Sequence, residues 1–190
     1  MKTTKLLFAI GLLAISLSSN AQKLEKGTWL IGGSLSYINQ TVKYTGTLSQ
    51  YQPASNTYGV FLASLNGANM VTKNLAIGAN VTYLNSSGLS TSAALLGPVA
   101  RVYFTNEKPS KVFLLGDLGF NTQGGSARYN VGLGLANFVS DYVSIDITGT
   151  YGNTFSSPFF TNNAYLNNDI SYSVITLQVG LQIYLPKKKV

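Results

Sequence analysis

The chain contains no cysteine and no histidine, and only 10% of its 190 residues are charged. A soluble domain of ordinary composition carries about 25%. Without cysteine there is no disulfide framework, thiolate zinc site, thiol nucleophile or lipid-bearing cysteine. Without histidine there is no Ser-His-Asp triad, no Cys-His pair and no imidazole metal ligand. Acidic residues are scarce, six against 13 Lys and Arg, for a formal charge of +7. No cofactor, metal site or catalytic centre is expected from this inventory. Long apolar runs are also missing. The longest, the 12 residues Leu6–Leu17, is too short to span a bilayer as a helix.

That run has another reading. Lys2 and Lys5 precede it, and Ser18-Ser19-Asn20-Ala21 follows, with Ser19 and Ala21 at −3 and −1 of a cut before Gln22. This is the pattern of a secretory signal peptide over residues 1–21, leaving 22–190 as one domain. A retained anchor is the alternative. Removing Lys2 and Lys5 leaves 11 basic and six acidic residues, a net +5. Lys23 and Lys26 sit at the new N-terminus and Lys187 to Lys189 at the C-terminus. With no basic helix or basic-aromatic patch between them, nucleic acid is not an expected partner.

What is present is glycine (19), tyrosine (12), phenylalanine (9) and a period of two. Trp29, Ile31, Gly33, Leu35 and Tyr37 alternate with Thr28, Leu30, Gly32, Ser34 and Ser36. The same alternation runs through Leu75–Leu84, Tyr129–Ala136, Val143–Gly152 and Ile175–Leu185. Side chains alternate faces only in an extended chain. Ala93–Thr105 and Val112–Asn121 fit less cleanly, since Phe113 and Leu115 share the parity of Asp117. Thr57–Met70 changes parity, and a bulge near Ser64 would reconcile it.

Eight strands result, joined by connections of alternating length. Long ones are Asn39–Asn56, Asn85–Ser92, Thr122–Ala127 and Asn153–Asn168. Short ones lie near Val71–Asn74, Asn106–Ser110 and Val139–Asp141. The expected fold is all-β, an eight-stranded antiparallel up-and-down transmembrane β-barrel, with both termini at the short-turn end. The apolar parity would face lipid. The other parity, which holds Gly32, Gly78, Gly97, Gly119, Gly132, Gly134, Gly152 and Gly180, would fill a narrow lumen. Aromatics close each strand: Trp29, Phe104, Tyr142 and Tyr184 at the short-turn end, Tyr37, Tyr83, Tyr129 and Tyr151 at the loop end. Eight steps from Trp29 to Tyr37, at about 3.3 Å each and about 45° of tilt, reach about 19 Å vertically. A secreted calycin-like barrel holding an apolar ligand has the same strand count and alternation, and stays open at this point.

Lys73–Gly78, Gly97–Phe104 and Thr176–Leu185 carry a resemblance. With them the chain resembles the small outer-membrane β-barrel proteins of Gram-negative bacteria, similar to the OmpA/OmpX-type transmembrane domain. The resemblance implies outer-membrane lipid and lipopolysaccharide around the barrel and delivery by the barrel-assembly machinery. Two departures stand out. The chain runs past Tyr184-Leu185 to Pro186 and three lysines, and it has no peptidoglycan-binding domain after the barrel.

Three charges, Arg101, Asp117 and Asp146, fall mid-strand on the polar parity. A lumen salt-bridge cluster is expected, with Asp146 near Arg101 and Asp117, whose places on consecutive strands make direct pairing possible, because buried charges are tolerated only when paired. A gate or an acid-base carboxylate pair is the alternative use. The long loops carry Tyr44, Tyr51, Phe155, Phe159, Phe160 and Tyr165. These are candidates for contact with an unknown extracellular ligand, or for packing over the barrel mouth. Eight strands leave no room for a wide pore.

Overall fold

The computed structural model describes residues 24–43, 55–86, 91–104, 110–122, 127–155 and 172–186. They form eight strands: β1 Trp29–Lys43, β2 Ser55–Met70, β3 Leu75–Ser86, β4 Thr91–Tyr103, β5 Ser110–Asn121, β6 Ala127–Ser140, β7 Val143–Phe155 and β8 Tyr172–Leu185. Each pairs antiparallel with its sequence neighbours, and β8 returns to β1 to close the barrel. Closure pairs backbone groups that would otherwise form open edges.

The strands are longer than their hydrophobic alternation suggests. β1 and β2 pair out to Lys43↔Ser55, so part of the expected Asn39–Asn56 loop is ladder. Phe155, expected in a loop, ends β7 opposite Ala127. Ladder hydrogen bonds are made by the backbone, so polar residues continue a strand past its apolar segment. The bulge expected near Ser64 is absent. Ser64 pairs with Ser34 on one side and Thr82 on the other in unbroken register. The parity change in β2 instead reflects mixed faces: Leu62 is buried in the lumen while Phe61 and Leu65 point outward. The register shift lies between Phe138 and Ser140, against β7.

The short-turn end is tightly tied. Thr72 Oγ1 accepts from the backbone N–H groups of Asn74 and Leu75 at 3.2 and 3.0 Å. Ser140 Oγ accepts from Tyr142 N–H at 3.3 Å in the turn before β7. Before β1 the chain bends through Gly27, whose φ of 92° favours glycine. Gly27 N–H donates to the Met70 carbonyl at 2.7 Å, and Leu24 is thereby buried under the barrel.

The outer surface is apolar. Leu133 is 59% and Leu181 51% exposed, together with Ile31, Leu35, Leu65, Ile77, Leu96, Leu118, Val131 and Leu177. A soluble barrel would enclose these side chains; this one presents them outward.

Candidate functional site

The strand register stacks the inward side chains into successive levels. At the short-turn end lies an aromatic floor. Tyr103, Phe113, Phe138 and Tyr184 are fully buried there, with Leu24, Leu30 and Met70. The rings of Tyr103 and Phe113 are 5.6 Å apart, those of Phe138 and Tyr184 4.8 Å, both tilted as aromatic quadrupoles favour. The two tyrosine hydroxyls lie 3.2 Å apart. Phe113 stands opposite Gly134, and its ring occupies the space where a Cβ on that glycine would lie. Lys111 Nζ sits 5.3 Å from the Phe138 ring centre.

Above the floor, Arg101 Nη1 donates to Asp146 Oδ2 at 2.6 Å. Ser144 Oγ donates to Asp146 Oδ1, also at 2.6 Å. The guanidinium lies 4.9 Å from the Phe113 ring centre, a cation–π contact beneath the ion pair. Both carboxylate oxygens thus have fixed donors, which is how a charge is kept in a closed interior.

Above the ion pair is a polar ladder, and beyond it the buried apolar cluster of Leu62, Leu84, Ala93 and Leu95. Arg128 Nε donates to Asn130 Oδ1, and Asn130 Nδ2 to Asp117 Oδ1, both at 2.8 Å. Between the levels is a cavity of about 30 Å³, enough for one or two waters. Ser34, Ser64, Asn66, Asn80, Arg101 and Asp117 are among the groups that line it. Among the described residues no group of three or more Asp or Glu is placed to hold a metal ion.

The three charges singled out in the sequence all face the lumen but do not form one cluster. The register does not set Arg101 directly opposite Asp117, and the Arg101 guanidinium is bonded to Asp146. Leu115 stands opposite Arg101 and Val99 opposite Asp117, a displacement of two residues. Arg101 reaches across the lumen to β7 instead, and Asp117 belongs to the Arg128–Asn130 ladder. Of the expected girdle, Trp29, Tyr37, Tyr83, Phe104, Tyr142 and Tyr151 are exposed on the outer face, and Tyr129 is half-buried. Tyr184 is not a girdle residue; it shares the parity of Gln182 and points into the floor. Tyr44, Tyr51, Phe159, Phe160 and Tyr165 lie outside the described residues, as does the Phe155 side chain.

Sequence reasoning missed the floor and Arg128. The signal was parity itself. Lys111, Phe113 and Leu115 share it with Asp117, and Tyr103 shares it with Arg101. Hydrophobicity argued Tyr103, Phe113 and Leu115 outward, whereas strand geometry puts every second side chain on one face. Leu24 lies outside any strand and gave no signal.

An apolar exterior, outward aromatics at each end and a lumen holding the Arg101–Asp146 ion pair define the class: a closed eight-stranded antiparallel β-barrel of transmembrane type. Among known proteins, the crystal structure of Neisserial surface protein A (NspA) superposes with a TM-score of 0.50. The match has 15% sequence identity and covers 83% of this chain and 96% of that one. At this identity the likeness is one of fold. No family model and no curated protein matches the chain.

Proposed function

We propose that the chain is an integral outer-membrane β-barrel with a structural or surface-interaction role, and not an enzyme or a wide pore. One observation carries this reading: the bulky aliphatic side chains, Leu133 and Leu181 among them, are on the outside of a closed barrel. Burying that belt in hydrocarbon is worth about 25 cal/mol for each Å² removed from water. The likeness to a Neisserial surface protein supports the same placement. In this reading residues 1–21 are a leader removed on export, and the barrel-assembly machinery inserts 22–190. Outer-membrane lipid and lipopolysaccharide surround the barrel.

The floor of Tyr103, Phe113, Phe138 and Tyr184 closes the lumen to solutes, and the lumen charges hold the barrel's shape. Asp146 is committed to Arg101 and Ser144, and Asp117 to Asn130, so neither carboxylate is poised for acid-base work. What remains for contact with an extracellular ligand are the connections at the end opposite the termini, 44–54 and 156–171 being the long ones and 87–90 and 123–126 lying in the shorter two.

Fractionation and labelling test this. The protein should require detergent for extraction and migrate faster on unheated gels than after boiling. Single cysteines replacing Ser87 or Asn163 should react with an impermeant maleimide in intact cells, and one replacing Lys73 only in broken cells. Recovery in the soluble fraction without detergent would end the membrane reading.

A further inference from the structure

The barrel closes through β1 and β8, and that seam is incomplete. Ladder pairing runs from Trp29↔Leu185 to Leu35↔Val179 and, among the described residues, stops there. Neither strand stops. β1 continues to Lys43 and β8 extends upward to Tyr172; above Leu35 and Val179 their ladder partners among the described residues are on β2 and on β7 respectively. The residues that would extend the ladder, Ser36 onward and Gln178 to Tyr172, are thus two facing edges. Two side-chain contacts hold the seam where it parts. Ser36 Oγ donates to the Leu177 carbonyl at 2.7 Å, and Ser34 Oγ to Gln178 Oε1 at 3.1 Å. Above them Ile175 is 80% exposed, and Tyr37 and Leu177 are also exposed beside the seam.

A free strand edge is a template for another strand. In and near hydrocarbon its unpaired N–H and C=O groups are costly. The edges themselves specify a partner. A β1 edge accepts β8, because the lower halves of these same strands already pair antiparallel. A second barrel turned by 180° about the membrane normal brings its β8 edge to this β1 edge, and its β1 edge to this β8 edge. Both contacts are antiparallel, and one operation satisfies both edges. This is the self-complementarity an isologous two-fold interface requires.

We propose that the upper β1–β8 seam is the interface with a second copy of this chain, joined by edge-to-edge strand pairing. The proposal rests on the membrane reading, since both barrels must share one orientation in one bilayer. Continuing the register of Leu35↔Val179 sets Asn39 of one protomer opposite Ile175 of its partner. Ile175, Leu177 and Tyr37 become buried between the barrels.

The chain has no native cysteine, so cross-linking is clean. Asn39→Cys and Ile175→Cys, introduced together and oxidised in isolated outer membranes, should give a reducible species of twice the monomer mass. Each single variant should stay monomeric, and the two co-expressed should again give the dimer. Ile175→Asp in the otherwise unchanged protein should halve the native mass in mild detergent while leaving the unheated-gel shift intact. If that variant fails to assemble, Ile175→Ser serves in its place. A cross-link confined to one chain, no cross-link, or an adduct with a different protein would overturn the proposal. A protein found in membranes with a normal gel shift but linked only internally would refute the dimer alone. A soluble protein would refute the membrane reading instead.

Discussion

Arg101 on β4 and Asp146 on β7 meet across the lumen at 2.6 Å, although neither strand pairs with the other. Their contact spans the barrel and fixes its cross-section. It also sets the sharpest expectation for the interior. Arg101→Met should lower stability by about 3–5 kcal/mol, because Asp146 is left buried without its counter-charge. Arg101→Met combined with Asp146→Leu should recover most of that loss. Urea unfolding from lipid vesicles measures both, and an unchanged midpoint for the single variant would show that the pair holds nothing.

The outer face is tested by a charge. Leu133→Arg should cost about 2–4 kcal/mol if this position sits near the bilayer midplane, and Tyr37→Arg, at the girdle, about 0–1 kcal/mol. The same unfolding assay applies. Equal, small effects at the two positions would place both in water.

The floor depends on a glycine. Gly134→Val should destabilise by about 1–3 kcal/mol, because the added side chain must displace the Phe113 ring. Gly149→Val, where a Cβ meets open space, should be nearly neutral. The heat-shift temperature on gels of the two variants gives the comparison.

Leu24 lies before the first strand, yet it is packed with Leu30, Met70 and Tyr103. Leu24→Ala should cost about 2–5 kcal/mol, as for any truncated core leucine. If its unfolding matches the parent protein, the N-terminal bend through Gly27 is not part of the floor.

Much of the architecture is legible along the chain. Strand number, antiparallel order and the outward set headed by Ile31, Val81, Leu133 and Leu181 follow from period-two alternation, and Lys73-Asn74 and Asp141-Tyr142 mark short turns. The candidate site is less legible. Arg101, Asp117 and Asp146 are identifiable as lumen charges, but their partners are not. Phe113, Leu115 and Tyr184 are apolar residues on the inner parity, and composition argued against the position that geometry enforces.

By itself the sequence determines which residues share a face, because alternation is a property of one extended strand and needs no knowledge of its neighbours. Only the tertiary structure decides register. It sets Leu115 rather than Asp117 opposite Arg101, carries the guanidinium across the lumen to Asp146, folds Leu24 under the floor and ends the β1–β8 ladder at Leu35. Those outcomes depend on how far each strand slides against the next and on the curvature of the closed ring, quantities that no single segment contains.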